Sequence, residues 1–167
     1  GARLYVLLDG GESAEAFESK ATEICRAGAH IVQLRDKKLA DRELLERARL
    51  LRRITREFNT LFIMNDRPDL AVLSAADGVH VGQEELTIRD VRRIVGPEML
   101  IGVSTHTIQQ ARQAVLDGAS YIGCGPTFPS GTKHFDSFPG LSFLREIATE
   151  ISLPAFAIGG ISLENLP

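Results

Sequence analysis

Short apolar segments alternate with amphipathic helical ones along the whole chain, and that alternation restricts the fold more than any other feature. The apolar segments are Arg3–Leu8, His30–Leu34, Leu61–Met64, Gly78–Val81, Leu100–Val103, Tyr121–Gly123 and Ala155–Ile158. Each is short and nearly continuous in apolar residues, the pattern of a strand covered on both faces. Between them the spacing predicts helices over Ser13–Ala27, Asp41–Phe58, Pro68–Ser74, Thr87–Gly96, Thr107–Asp117 and Leu141–Glu150. In the second helix Leu44, Leu45, Ala48, Leu51 and Ile54 fall on one face. Ser13 and Asp41 suit N-caps, Pro68 suits a first turn, and Gly28 and Gly118 suit helix stops. Ser162 reads as a further helix start. Strict β-α alternation implies a parallel sheet with covered faces, an α/β fold of the TIM (β/α)8 barrel class. Seven strands are present where a closed barrel needs eight, so the expectation is one β/α-barrel domain over residues 1–167 with its α7-β8-α8 portion absent. An open barrel exposes strand edges, which favours a homo-oligomer.

Composition removes several function classes. The 167 residues carry a net charge of −3, so no basic field favours nucleic acid. No apolar run is long enough to span a bilayer, and no membrane association is expected. The two cysteines, Cys25 and Cys124, show no metal-ligand spacing and read as buried free thiols of a cytoplasmic protein.

Three polar stretches close apolar strands. They are Gln33-Leu34-Arg35-Asp36-Lys37, Asn65-Asp66, and the loop from Gly125 to Lys133. Polar groups at the carboxyl ends of successive strands mark the catalytic rim of a barrel. Two cations, an amide, a carboxylate and a loop of hydroxyls, glycines and a lysine suit a pyrophosphate and a divalent metal. Arg35 and Lys37 are two apart, so an extended chain aims both to one side and Asp36 away, leaving Asp36 a structural role. His80, between Val79 and Val81, reads as a buried barrel histidine. His106 reads as a structural hydrogen-bonding group.

In order along the chain, six phrases resemble the thiamin phosphate synthase family. They are Val32–Lys37, Asn65-Asp66, Asp77–Glu84, Gly102–His106, Gly123–Lys133 and Ala157–Ile161. The family joins 4-amino-2-methyl-5-hydroxymethylpyrimidine diphosphate to 4-methyl-5-hydroxyethylthiazole phosphate, giving thiamin phosphate and pyrophosphate. The resemblance implies Mg2+, two small-molecule substrates, and a dissociative path in which the pyrimidine methylene becomes cationic. It implies Arg35, Lys37, Lys133 and Ser104 as the catalytic set. Gln33 would meet the aminopyrimidine, Asn65 the substrate, and Ser130, Thr132 and Lys133 the pyrophosphate. The backbone of Gly159 and Gly160 would meet the thiazole phosphate. Asp66 and Glu85 would ligate the metal. Glu85 departs from the family, which usually has Asp at that position; the arm is one methylene longer.

Three other readings stay open. A sister family of thiazole tautomerases shares the barrel but handles no diphosphate, and so has no need of Arg35, Lys37, Asp66 and Lys133. A non-catalytic phosphate-binding barrel would tolerate the Glu85 change and the missing strand. A barrel acting on a sugar phosphate would share the phosphate loops.

Overall fold

A computed structural model describes residues 3–129 and 139–165. The elements are β1 (Tyr5–Leu8), α1 (Ala14–Arg26), β2 (Ile31–Leu34), α2 (Asp41–Glu57), β3 (Leu61–Asn65), α3 (Pro68–Leu73), β4 (Gly78–Val81), α4 (Ile88–Val95), β5 (Leu100–Thr105), α5 (Ile108–Asp117), β6 (Tyr121–Cys124), α6 (Gly140–Glu150) and β7 (Ala155–Ala157). The chain divides into two compact units, Gly1–His80 with Asp90–Leu100, and Val81–Arg89 with Ile101–Pro167.

In the first unit β1, β2, β3 and β4 pair in parallel and in chain order. Leu8, Leu34 and Met64 lie level across three strands, and all three are buried. All four residues of β2 are buried, as expected of a strand covered on both faces. Ser13 caps α1, its side chain accepting from the Ala16 N–H at 3.1 Å. The α2 face is buried through Leu44, Ala48, Leu51 and Ile54, with Leu45 half-buried. Arg47 joins that face unexpectedly, its stem along apolar surface and its Nε donating to Gly10 O at 2.9 Å. Asp41 is not the N-cap of α2. Ala40 holds that position without a side-chain bond, and Asp41 begins the helix and pairs with Arg67 instead.

In the second unit β5, β6 and β7 are parallel neighbours. Strand β5 runs two residues past the expected Val103, because Ser104 and Thr105 pair with Gly123 and Cys124. Thr107 caps α5, and Gly118 ends it in the left-handed region at φ 84°. The core here includes Ile101, Ile122, Phe143 and Ile147. Ser162 to Asn165 form a turn in which Asn165 Oδ1 accepts from the Ser162 N–H at 2.8 Å, the reciprocal half of a capping box.

Candidate functional site

In the first unit the expected residues gather where β2 and β3 end. The Arg35 N–H still reaches Leu8 O at 2.9 Å, so the ladder continues one residue past β2. There the chain turns. The Asp36 carboxylate accepts from the N–H groups of Lys38 (2.8 Å), Leu39 (2.9 Å) and Gly10 (3.0 Å). The first two bonds close an Asx turn, so Lys37 sits on a bend and not on an extended strand. The extended geometry that would separate Asp36 from its neighbours is therefore absent. Arg35, Asp36 and Lys37 all line one cleft of about 450 Å³ together with Asp9, Glu12 and Lys38. The structural role of Asp36 is nevertheless as expected: it ties the β2 end to the β1 end. Burial pushes its carboxyl up, and the three backbone donors with the Lys38 charge more than offset this, so its pKa lies below the ordinary value.

Asp66 is held from several sides. Its N–H donates to His80 O at 2.8 Å and its Oδ2 accepts from Asn65 Nδ2 at 2.9 Å. Lys37 Nζ lies 3.5 Å from the same oxygen. Its φ of 57° is left-handed, a conformation that Asp tolerates better than most residues. The structure thus brings Lys37, Asn65 and Asp66 together. The oxygen set at this point is hard and anionic and already draws positive charge, which fits a divalent cation such as Mg2+. Among the described residues no three His, Cys, Asp or Glu side chains converge on one point. Mg2+ does not require three, since it commonly takes one or two carboxylates with phosphate and water.

Gln33 is buried at 3% exposure, and its Nε2 donates to Tyr5 Oη at 2.7 Å. Sequence reasoning did not single out Tyr5; its position directly before the apolar run Val6–Leu8 gave no signal of that pairing. Arg67 was also missed. Its guanidinium takes both oxygens of Asp69 (2.9 and 2.6 Å) and one of Asp41 (2.6 Å), fastening the segment after Asp66 to the starts of α2 and α3. These bonds drive the Arg67 pKa up, and the Arg67 bond holds the Asp69 carboxyl down.

The second unit carries Glu85, Ser104 and Gly160, so the two expected metal carboxylates lie in different units. Glu85 is exposed and folds back over Gly82, where a Cβ would strike its Oε2. Gln83 Nε2 donates to Ser104 O at 2.7 Å and ties this loop to β5. Ser104 is half-buried within β5. His106 makes the structural bond expected of it, Nδ1–H donating to Gly125 O at 2.7 Å. Gly159 and Gly160 have φ of 94° and 66°. A Cβ at Gly160 would lie 2.6 Å from Phe128 O, and one at Gly159 would lie 2.8 Å from Pro126 Cα. Close approach of the segments after β6 and β7 thus demands both glycines, whatever phosphate contact their amides make. Ser130, Thr132 and Lys133 lie outside the described residues. Both cysteines are free and buried, as expected, and burial pushes each thiol up. Among the described residues no helix is long and apolar enough to cross a membrane.

The family model described as thiamine monophosphate synthase matches residues 4–167. The chain is 51% identical over 170 residues to a thiamine-phosphate synthase of Rhodopirellula baltica, covering 99% of this chain and 45% of that protein. It is 43% identical over 152 residues to one from Halalkalibacterium halodurans, covering 90% of this chain and 72% of that one. It thus spans less than half of the first relative's length. The solved thiamine phosphate pyrophosphorylase of Pyrococcus furiosus superposes with a TM-score of 0.87 at 34% identity, over 98% of this chain and 78% of that one. A 3-dehydroquinate dehydratase of Geobacillus kaustophilus, at 19% identity and a TM-score of 0.71, shares the fold alone. The expected α/β barrel class therefore holds, and the chain belongs to the thiamine monophosphate synthase family.

Proposed function

We propose that this chain carries thiamin phosphate synthase activity, coupling the hydroxymethylpyrimidine diphosphate to the thiazole phosphate with release of pyrophosphate. The observation that carries this reading is the cluster at the ends of β2 and β3, where Lys37 meets the Asn65–Asp66 pair and lines one cleft with Arg35. In the reaction the C–O bond to the diphosphate breaks, the pyrimidine methylene carries the positive charge, and the thiazole nitrogen supplies the electron pair of the new C–N bond. Negative charge builds on the departing oxygens. Fixed cations aimed there act where the charge develops. Arg35 offers a forked contact and Lys37 a point charge. Gln33, its amide oriented by Tyr5, would read the aminopyrimidine. Ser104 would donate to a phosphate oxygen, Ser130 and Thr132 would donate to pyrophosphate while Lys133 neutralises it, and the Gly160 backbone would meet the thiazole phosphate.

Asp66, and Glu85 by its place in the family pattern, are the residues that would hold Mg2+. When bound, the metal would offset charge on the diphosphate oxygens. The two buried free thiols fit a reducing cytoplasm. The test is pyrophosphate release by the full-length protein, with both substrates, each alone, and with or without Mg2+. Metal-dependent release requiring both substrates is the expected result. No release, with tautomerisation of the thiazole phosphate instead, would move the assignment to the sister activity.

A further inference from the structure

A second polar cleft lies in the first unit at the amino-terminal end of its strands. It measures about 250 Å³ and is bounded by the last turns of α2, the start of β3, and Asp77 just before β4. It is remote from the cluster just described. At roughly 3.3 Å per residue, β3 puts about 13 Å between Leu61 and Asn65.

The polar groups of this cleft are unequally matched. Asp77 Oδ2 is engaged twice, by Arg52 Nη1 at 2.6 Å and by the Phe62 N–H at 2.7 Å. The Thr55 and Thr60 hydroxyls donate to Arg52 O and Ala29 O. Arg52 Nε is buried and has no hydrogen-bond partner. A buried guanidinium N–H without an acceptor is costly and rare in a folded protein. Arg56 and Asn59 line the same cleft, are exposed, and make no side-chain hydrogen bond among the described residues. Two guanidinium groups face one carboxylate, and the unmet groups are N–H donors. The dipole at the carboxyl end of α2 disfavours an anion, but weakly against the one guanidinium charge that Asp77 leaves unpaired.

We propose that this cleft is a second anion site, in which Arg52, Arg56 and Asn59 hold a tetrahedral oxyanion such as a phosphate group. The anion lies against the Arg52 guanidinium, whose buried Nε–H reaches it through a shift of the side chain, and Arg56 and Asn59 close over it from the rim.

The test follows the arginine Nε–H resonances of the 15N-labelled full-length protein during titration with inorganic phosphate. The Arg52 signal is identified by its loss in Arg52→Lys. A parallel titration with glycerol 3-phosphate separates a free phosphate from a phosphomonoester, and potassium chloride at equal ionic strength controls for screening. The Arg52 signal should shift and saturate with one of the two phosphates, and the tighter of them names the source. Arg56→Gln should weaken that binding by about fivefold, the scale of one exposed charge pair. Asn59→Gly should also weaken it while suiting the left-handed backbone at φ 53°. An Arg52 signal that stays fixed, that chloride moves equally, or that titrates alike in wild type and both variants would overturn the proposal.

Discussion

Asp36 does more for the fold than its place between two cations suggests. Its carboxylate satisfies three backbone N–H groups, one from the β1 end and two from its own turn. Asp36→Ala should cost about 1–2 kcal/mol in a urea titration, since those donors lose their acceptor. The folded pKa is depressed, so this contribution is present above the ordinary carboxylate range and is lost as pH falls through the folded value. Lys37 is different. It is 59% exposed, and its pairing with Asp66 adds little stability. Lys37→Ala should leave the urea midpoint unchanged and lower pyrophosphate release on the order of 100-fold, the scale of one lost charge-stabilising donor. Unchanged turnover would remove Lys37 from the reaction. Both residues were legible in the sequence as members of one polar phrase. Their division of labour was not, because it depends on an Asx turn and on Gly10, 26 residues away.

At the scale of elements, β5 and β6 show a constraint between two paired positions. Gly102 lies level with Tyr121, and a Cβ on Gly102 would run into the Tyr121 ring. That ring also packs edge-on against Phe156 of β7, with centroids 5.8 Å apart and planes at 87°. Gly102→Ala should therefore destabilise by about 2 kcal/mol through overpacking. Combining it with Tyr121→Leu should recover part of the loss, which a double-mutant cycle in urea would measure. Equal costs with and without the ring would show that the strand tolerates the methyl by another route. Local chemistry made most elements readable: the Ser13 and Thr107 caps and the Gly118 stop each act within a few residues. It failed where distant partners intervene. Asp41 pairs with Arg67 while Ala40 takes the cap position, and Ser104 and Thr105 continue β5 by pairing with β6.

For the molecule as a whole, acid stability is the accessible readout. Burial pulls the His80 pKa down to about 4. The unfolded chain then binds a proton that the folded one refuses, so stability is complete above the unfolded value and falls as pH drops from about 6.5 towards 4. The expected slope is up to about 1.4 kcal/mol per pH unit in that window. His80→Gln should flatten it; an unaltered slope would assign the loss to other groups. What the sequence determined alone was the alternation of strands and helices, the apolar faces, and the order of polar phrases at strand ends, because periodicity and capping act over short range. What only the tertiary structure decided was which polar groups find one another. The Lys37–Asp66 pair, the Gln33–Tyr5 bond, the Arg67–Asp41 contact and the Arg52–Asp77 pair all join segments separated in the chain, and no local pattern encodes a partner that packing must bring.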